Sequence, residues 1–171
     1  SEDEERLRRI EEELRRLEEE AREYHERSRE ELKKLREKAK EYHERSRREL
    51  EELRRRNITS EELRKKIEEH RKRNEDLLRE LKRTIEELEK RNRELLKKLR
   101  EDIKRLRDEL RKGPDDKRLK EITRKVEEVM KKLEKLVRDN NEEIRKVMEE
   151  LKKLVEDDNE ESDRALKELE T

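Results

Sequence analysis

The sequence predicts an all-α protein, a straight, nearly untwisted antiparallel three-helix bundle of long helices. Three observations carry that prediction. The few apolar residues fall on one stripe at helical spacing, with charges elsewhere. The chain holds a single Gly and a single Pro, adjacent at Gly113-Pro114. An 18-residue block stands twice in tandem: ELRRLEEEAREYHERSRE (13–30) is followed by ELKKLREKAKEYHERSRR (31–48), and the two agree at 12 of 18 positions. Eighteen residues make about five turns at about 3.6 residues per turn, so each repeat returns to the same helix face. A seven-residue repeat would impose left-handed supercoiling, whereas this period leaves helices nearly untwisted.

The first helix is predicted over about 2–56. Ser1 and Glu4 form a capping box at its start. Glu11–Arg15 and Glu23–Arg27 are among the four-apart pairs that support it. A break follows at Asn57-Ile58-Thr59-Ser60. With Thr59 as N-cap, Glu62 completes a second capping box and Ile58 can staple onto Leu63. The second helix then covers about 60–112, its stripe repeating through Leu63, Leu81 and Leu99 and through Ile67, Ile85 and Ile103. At Gly113-Pro114, glycine suits the left-handed position after a helix end, and proline cannot continue the helix. Asp115 or Asp116 can cap the third helix, about 115–170, whose stripe repeats through Leu119, Val137 and Val155 and through Leu133, Leu151 and Leu169. Each helix should run about 80 Å at about 1.5 Å per residue, and the short connections fold each back on its predecessor. The apolar stripes are narrow, somewhat wider on the third helix. They suit three helices closing around one core, so residues 1–171 read as a single domain.

Composition sharpens what the chain excludes. Charged residues make up 63% of it, against about 25% in ordinary globular proteins. Only 25% is hydrophobic, with two Tyr and no Phe or Trp. Such values would suggest disorder, but the periodicity overrules them. Lys+Arg and Asp+Glu are both 54, so the net charge is zero. An interleaved neutral surface opposes nucleic acid, which selects a basic face, and anionic lipid, which selects Lys/Arg-rich amphipathic helices. The runs Arg54–Arg56 and Arg71–Arg73 read as solvated helix faces, as does the acidic stretch Glu156–Asp163. Cysteine is absent, so disulfides and thiolate metal sites are excluded. The longest apolar run is two residues, as at Leu77-Leu78, and no signal peptide is evident. The expectation is a soluble protein without natural localisation, found in the cytoplasm of an expression host.

Polar residues interrupt the inner stripes at fixed places. On the first helix these are Tyr24, Ser28, Tyr42 and Ser46, with His25 and His43 at the stripe's edge. On the second they are His70, Asn74 and Asn92, and on the third Asn140, Asn141, Asn159 and Ser162. Each would cost about 1–3 kcal/mol if buried unpaired, so they should meet one another. With the first turn centred near residue 58, Tyr42 faces Asn74, Ser46 faces His70 and Tyr24 faces Asn92. Carried round a second turn near residue 113, Ser28 falls beside Asn140 and Asn141, and Ser46 within a turn of Asn159 and Ser162. Two buried hydrogen-bond layers follow. One holds Tyr24, His25, Ser28, Asn92, Asn140 and Asn141. The other holds Tyr42, His43, Ser46, His70, Asn74, Asn159 and Ser162. Such layers fix helix order and register, because a slipped pairing strands them.

The tandem EYHERSR blocks, 18-residue repeats, Glu/Lys/Arg-saturated surface and short capped loops (NITSEE, GPDD) resemble computationally designed parametric helical bundles with buried hydrogen-bond networks. The leading Ser1 is what a cleaved expression tag would leave. The resemblance spans the chain and marks a style rather than a homologous family. It implies scaffold use and high stability, with no natural biochemical function and no cofactor.

Sharper readings compete with that one. Tyr24-His25 with Ser28 offers a serine beside a histidine base. The same cluster recurs at Tyr42-His43 with Ser46, and neither copy has a glycine-rich turn or an oxyanion hole, so the chain is not expected to be an enzyme. His43 and His70 could approach, with Asp158 or Glu69 nearby. Zinc wants three or four converging ligands, so no metal is expected. Buried neutral histidines would make stability decline below about pH 5–6. Asn57-Ile58-Thr59 matches a glycosylation acceptor but serves better as a capped loop, and Met130 and Met148 read as core filling. No partner is required, and a monomer is expected. The alternative is an oligomerisation or binding module using the wider third-helix stripe, with Leu136 and Thr123 at its margins.

Overall fold

The computed structural model describes residues 2–56, 58–113 and 117–170. Three long helices account for nearly all of them: α1 (Glu2–Arg55), α2 (Ser60–Arg111) and α3 (Lys117–Glu170), of 54, 52 and 54 residues. The protein is a three-helix bundle. Acidic side chains crowd the first turn of α1 and basic ones its last, matching the helix dipole at both ends.

The α2 start forms as its sequence dictates. Thr59 Oγ1 accepts from the Glu62 backbone N–H at 3.2 Å, and the Leu63 N–H donates to the Thr59 carbonyl at 3.0 Å. That is an N-cap followed by the first intrahelical bond. Its far end differs from expectation, because Gly113 does not take the left-handed conformation. Instead the last turn tightens. The Lys112 N–H donates to the Glu109 carbonyl at 3.3 Å and the Gly113 N–H to the Leu110 carbonyl at 3.2 Å, three-residue bonds that satisfy terminal carbonyls. Glycine contributes room there: the Arg6 guanidinium packs where a Cβ would stand. Ser1 of the first capping box, Asn57, Pro114 and the Asp115 or Asp116 cap lie outside the described residues.

The helices contribute to two compact units. The first comprises Ser1–Glu30 and Leu88–Glu143. Its core joins Leu7, Ile10, Leu14, Leu17 and Ala21 of α1 to Leu99, Ile103, Leu106 and Leu110 of α2 and to Ile122, Val126, Val129 and Leu133 of α3. Each fully buried Leu or Ile contributes about 1.5–3 kcal/mol. Arg105–Glu13 and Lys98–Glu20 run antiparallel between α1 and α2. Arg107 grips Glu127 of α3 with both Nε and Nη2, at 2.7 and 2.9 Å.

The second unit comprises Glu31–Glu87 and Ile144–Thr171. Leu50, Ile67 and Ala165 form one cluster, with Leu63 and Leu166 packed against it. Leu32, Leu81, Ile85, Ile144, Val147 and Leu151 are also buried. Lys38–Glu80 and Arg73–Glu49 again set α1 and α2 antiparallel. Arg36–Glu150 and Arg54–Glu168 set α1 and α3 parallel.

Buried positions recur every 18 residues, through Leu14, Leu32 and Leu50, through Ile67, Ile85 and Ile103, and through Leu133 and Leu151.

Candidate functional site, two buried polar layers

The polar residues on the inner stripes divide between the units, one layer to each. In the first unit Asn92 sits at the centre, 0% exposed. Its Nδ2 donates to the Val137 carbonyl at 3.2 Å and to Asn141 Oδ1. Its Oδ1 accepts from Asn140 Nδ2 at 3.1 Å. Three of the four hydrogen-bonding sites of this amide are therefore filled, and all three bonds tie α2 to α3. Ser28, though buried, has no hydrogen-bond partner for its Oγ among the described residues, and His25 has none for its Nδ1. Tyr24 and His25 are half-buried.

In the second unit Ser46 Oγ and His70 Nε2 share a hydrogen bond of 2.7 Å, with Ser46 4% and His70 2% exposed. This is the facing pair that the hairpin geometry predicts. His70 Nδ1 lies 3.7 Å from Glu49 Oε2, and Glu49 in turn accepts from Arg73 at 2.5 Å. Burial holds the His70 imidazole below the ordinary histidine value, with the nearby Glu49 charge opposing and Arg73 reinforcing. Burial likewise raises the hydroxyl of half-buried Tyr42.

His43 Nδ1 stands 2.6 Å from Asp158 Oδ1. The contact is close but off-axis, since neither atom completes a well-aligned hydrogen bond. It brings α1 and α3 together. Asp158 is 3% exposed. Desolvation lifts its carboxyl above the usual range, against the pull of His43 and Arg47.

Asn74 is 0% exposed, yet neither end of its amide reaches a protein partner, and Ser162 Oγ and Asn159 Oδ1 are in the same position. For one of these atoms the repeat gives the reason. Asn74 and Asn92 are equivalent, and so are Asp158 and Asn140. Where Asn140 offers the Asn92 Oδ1 an N–H, an ionised Asp158 can only accept, so the Asn74 Oδ1 loses the equivalent donor. Ser28 has the same kind of explanation. The partner of Ser46 is His70, and the equivalent residue facing Ser28 is Leu88, which is apolar and buried.

The expectation that every member finds another is therefore unmet for His25, Ser28, Asn74, Asn159 and Ser162. Asp158 and Glu49 join the site beyond the residues expected in it. The stretch Glu156–Asp163 is no uniformly solvated face: Asp158 and Ser162 are buried within it. Position 158 follows Asn140 by one repeat, and that spacing was the available signal. Glu69 is exposed. Among the described residues no three His, Cys, Asp or Glu side chains converge on a point where they could hold a metal ion. No described helix is long and apolar enough to cross a membrane.

No protein-family model matches the chain, and a search of curated proteins finds no match. Among solved structures it is similar to a computationally designed three-helix bundle, at 21% identity and a TM-score of 0.40. That match covers 96% of this chain and 82% of the other.

Proposed function

We propose that this chain is a designed structural scaffold, a single bundle with no natural biochemical role, in which buried polar side chains specify helix register. The observation that carries the reading is the Asn92 amide, fully buried and bound at both ends by α3. Shifting α2 by one turn along α3, about 5.4 Å, would separate Asn92 from all three partners. Each stranded group would then cost about 1–3 kcal/mol. Apolar positions offer no such discrimination, since one Leu or Ile can replace another along a repeating stripe. The same logic supports Ser46–His70 between α1 and α2 in the second unit.

The design reading rests on the 18-residue repetition of whole polar clusters, EYHERS included, and on a surface built almost wholly of Glu, Lys and Arg. Catalysis has little support. Ser46 and His70 are aligned, but both are buried where no substrate could reach the hydroxyl.

The test replaces Asn92, Asn140 and Asn141 together by Leu. Stability should hold or rise, because apolar replacement of a whole buried polar group is often neutral or favourable. The distance distribution between spin labels at exposed Glu94 and Arg138 should broaden as register loosens. A distribution as narrow as in the parent chain would defeat the proposal.

A further inference from the structure

We propose that the first polar layer binds one water molecule, seated between the imidazole of His25 and the side-chain amide of Asn140. A cavity of about 10 Å³ lies beside these two residues, lined also by Ala21, Tyr24, Asn92, Leu95, Leu136 and Val137. A water needs about 10–15 Å³ of such space and two to four polar partners. His25 Nδ1 and Asn140 Oδ1 are both buried and neither completes a hydrogen bond with a protein group among the described residues.

The Asn140 amide is held from its other end, because Nδ2 donates to Asn92 Oδ1. Turning the amide over would satisfy one atom only by stranding another. A water donates to the carbonyl oxygen and either accepts from or donates to the imidazole nitrogen, whichever tautomer is present. The size admits one heavy atom. No carboxylate lines the cavity, so its chemistry fits a neutral hydrogen-bonding molecule better than a cation.

The repeat supplies an internal comparison. His43 and Asp158 follow His25 and Asn140 by 18 residues, and they touch directly. In the first layer the equivalent imidazole nitrogen and amide oxygen complete no such contact, and the space beside His25 is the water's place.

A high-resolution crystal structure of the unmodified chain, paired with water-to-methyl NMR cross-peaks at Leu95 and Val137, tests the site. The expected result is one density peak about 3 Å from both His25 Nδ1 and Asn140 Oδ1, with cross-peaks at both methyl groups. An Ala21→Val variant, which fills the cavity and removes neither polar atom, should lose the cross-peaks. A direct His25–Asn140 hydrogen bond in the crystal, or cross-peaks unchanged in Ala21→Val, would overturn the assignment.

Discussion

Asn74 and Asn92 occupy equivalent repeat positions and are equally buried, but only one is bound. Replacing Asn92 alone by Leu strands Asn140 and Asn141 and should destabilise the chain by about 1–3 kcal/mol. Asn74→Leu strands nothing and should be neutral or stabilising, so unfolding free energies from urea melts of the two variants should move in opposite directions or differ by at least about 1 kcal/mol. The titratable members behave differently again. His70 is held below its ordinary value of 6.5, so the unfolded chain takes up that proton first. The stability it contributes is present above 6.5 and is lost as the pH falls below it. Asp158 has the opposite sign. Its carboxyl is raised above 3.8, so its burden on the fold appears as the pH rises through that raised value and is relieved on acidification. The melting temperature should therefore fall from pH 7.5 to about pH 5, and His70→Gln, which keeps a partner for Ser46, should flatten that fall. An identical decline in the variant would move the acid sensitivity elsewhere. These distinctions were only half legible in the sequence. Spacing placed the polar residues at shared heights, whereas pairing depends on which atoms are donors across the gap, as Leu88 opposite Ser28 and Asp158 in place of an amide show.

At the scale of the helices, the sequence announces starts more reliably than stops. Thr59 was legible as a cap because a hydroxyl before a helix has one physical use there, and the structure gives it the Glu62 N–H. Thr59→Ala should lower stability by about 0.5–2 kcal/mol, read as a loss of roughly 2–4 °C in melting temperature per kcal/mol for a chain of this size. Gly113 was legible as an end but not in its conformation. Two short backbone bonds close α2 without any left-handed residue, and the space that glycine leaves is taken by Arg6, about a hundred residues away in sequence. Long-range occupancy of that kind has no local signature. The third-helix stripe shows the same limit. Leu136 at its margin packs onto the chain's own core, while Thr123 is exposed and donates to the Leu119 carbonyl.

For the whole molecule, a surface of opposed charges surrounds an apolar fraction of only 25%, and among the described residues no large hydrophobic is exposed. The cross-helix ion pairs lie mostly at exposed positions, where each is worth about 0–1 kcal/mol. Cohesion therefore rests on the narrow core stripes. Light scattering should return a mass near 21.5 kDa; an integer multiple would favour association over the monomer. The 18-residue recurrence of buried positions carries one more implication. A chain whose inner face returns to phase after five turns is divisible into interchangeable lengths. Splicing one such length into every helix at matched heights would leave each side chain aimed as before, whereas a single inserted residue would rotate everything beyond it by about 100°. The fold is in that sense a ruler with fixed graduations, adjustable by whole marks and intolerant of fractions.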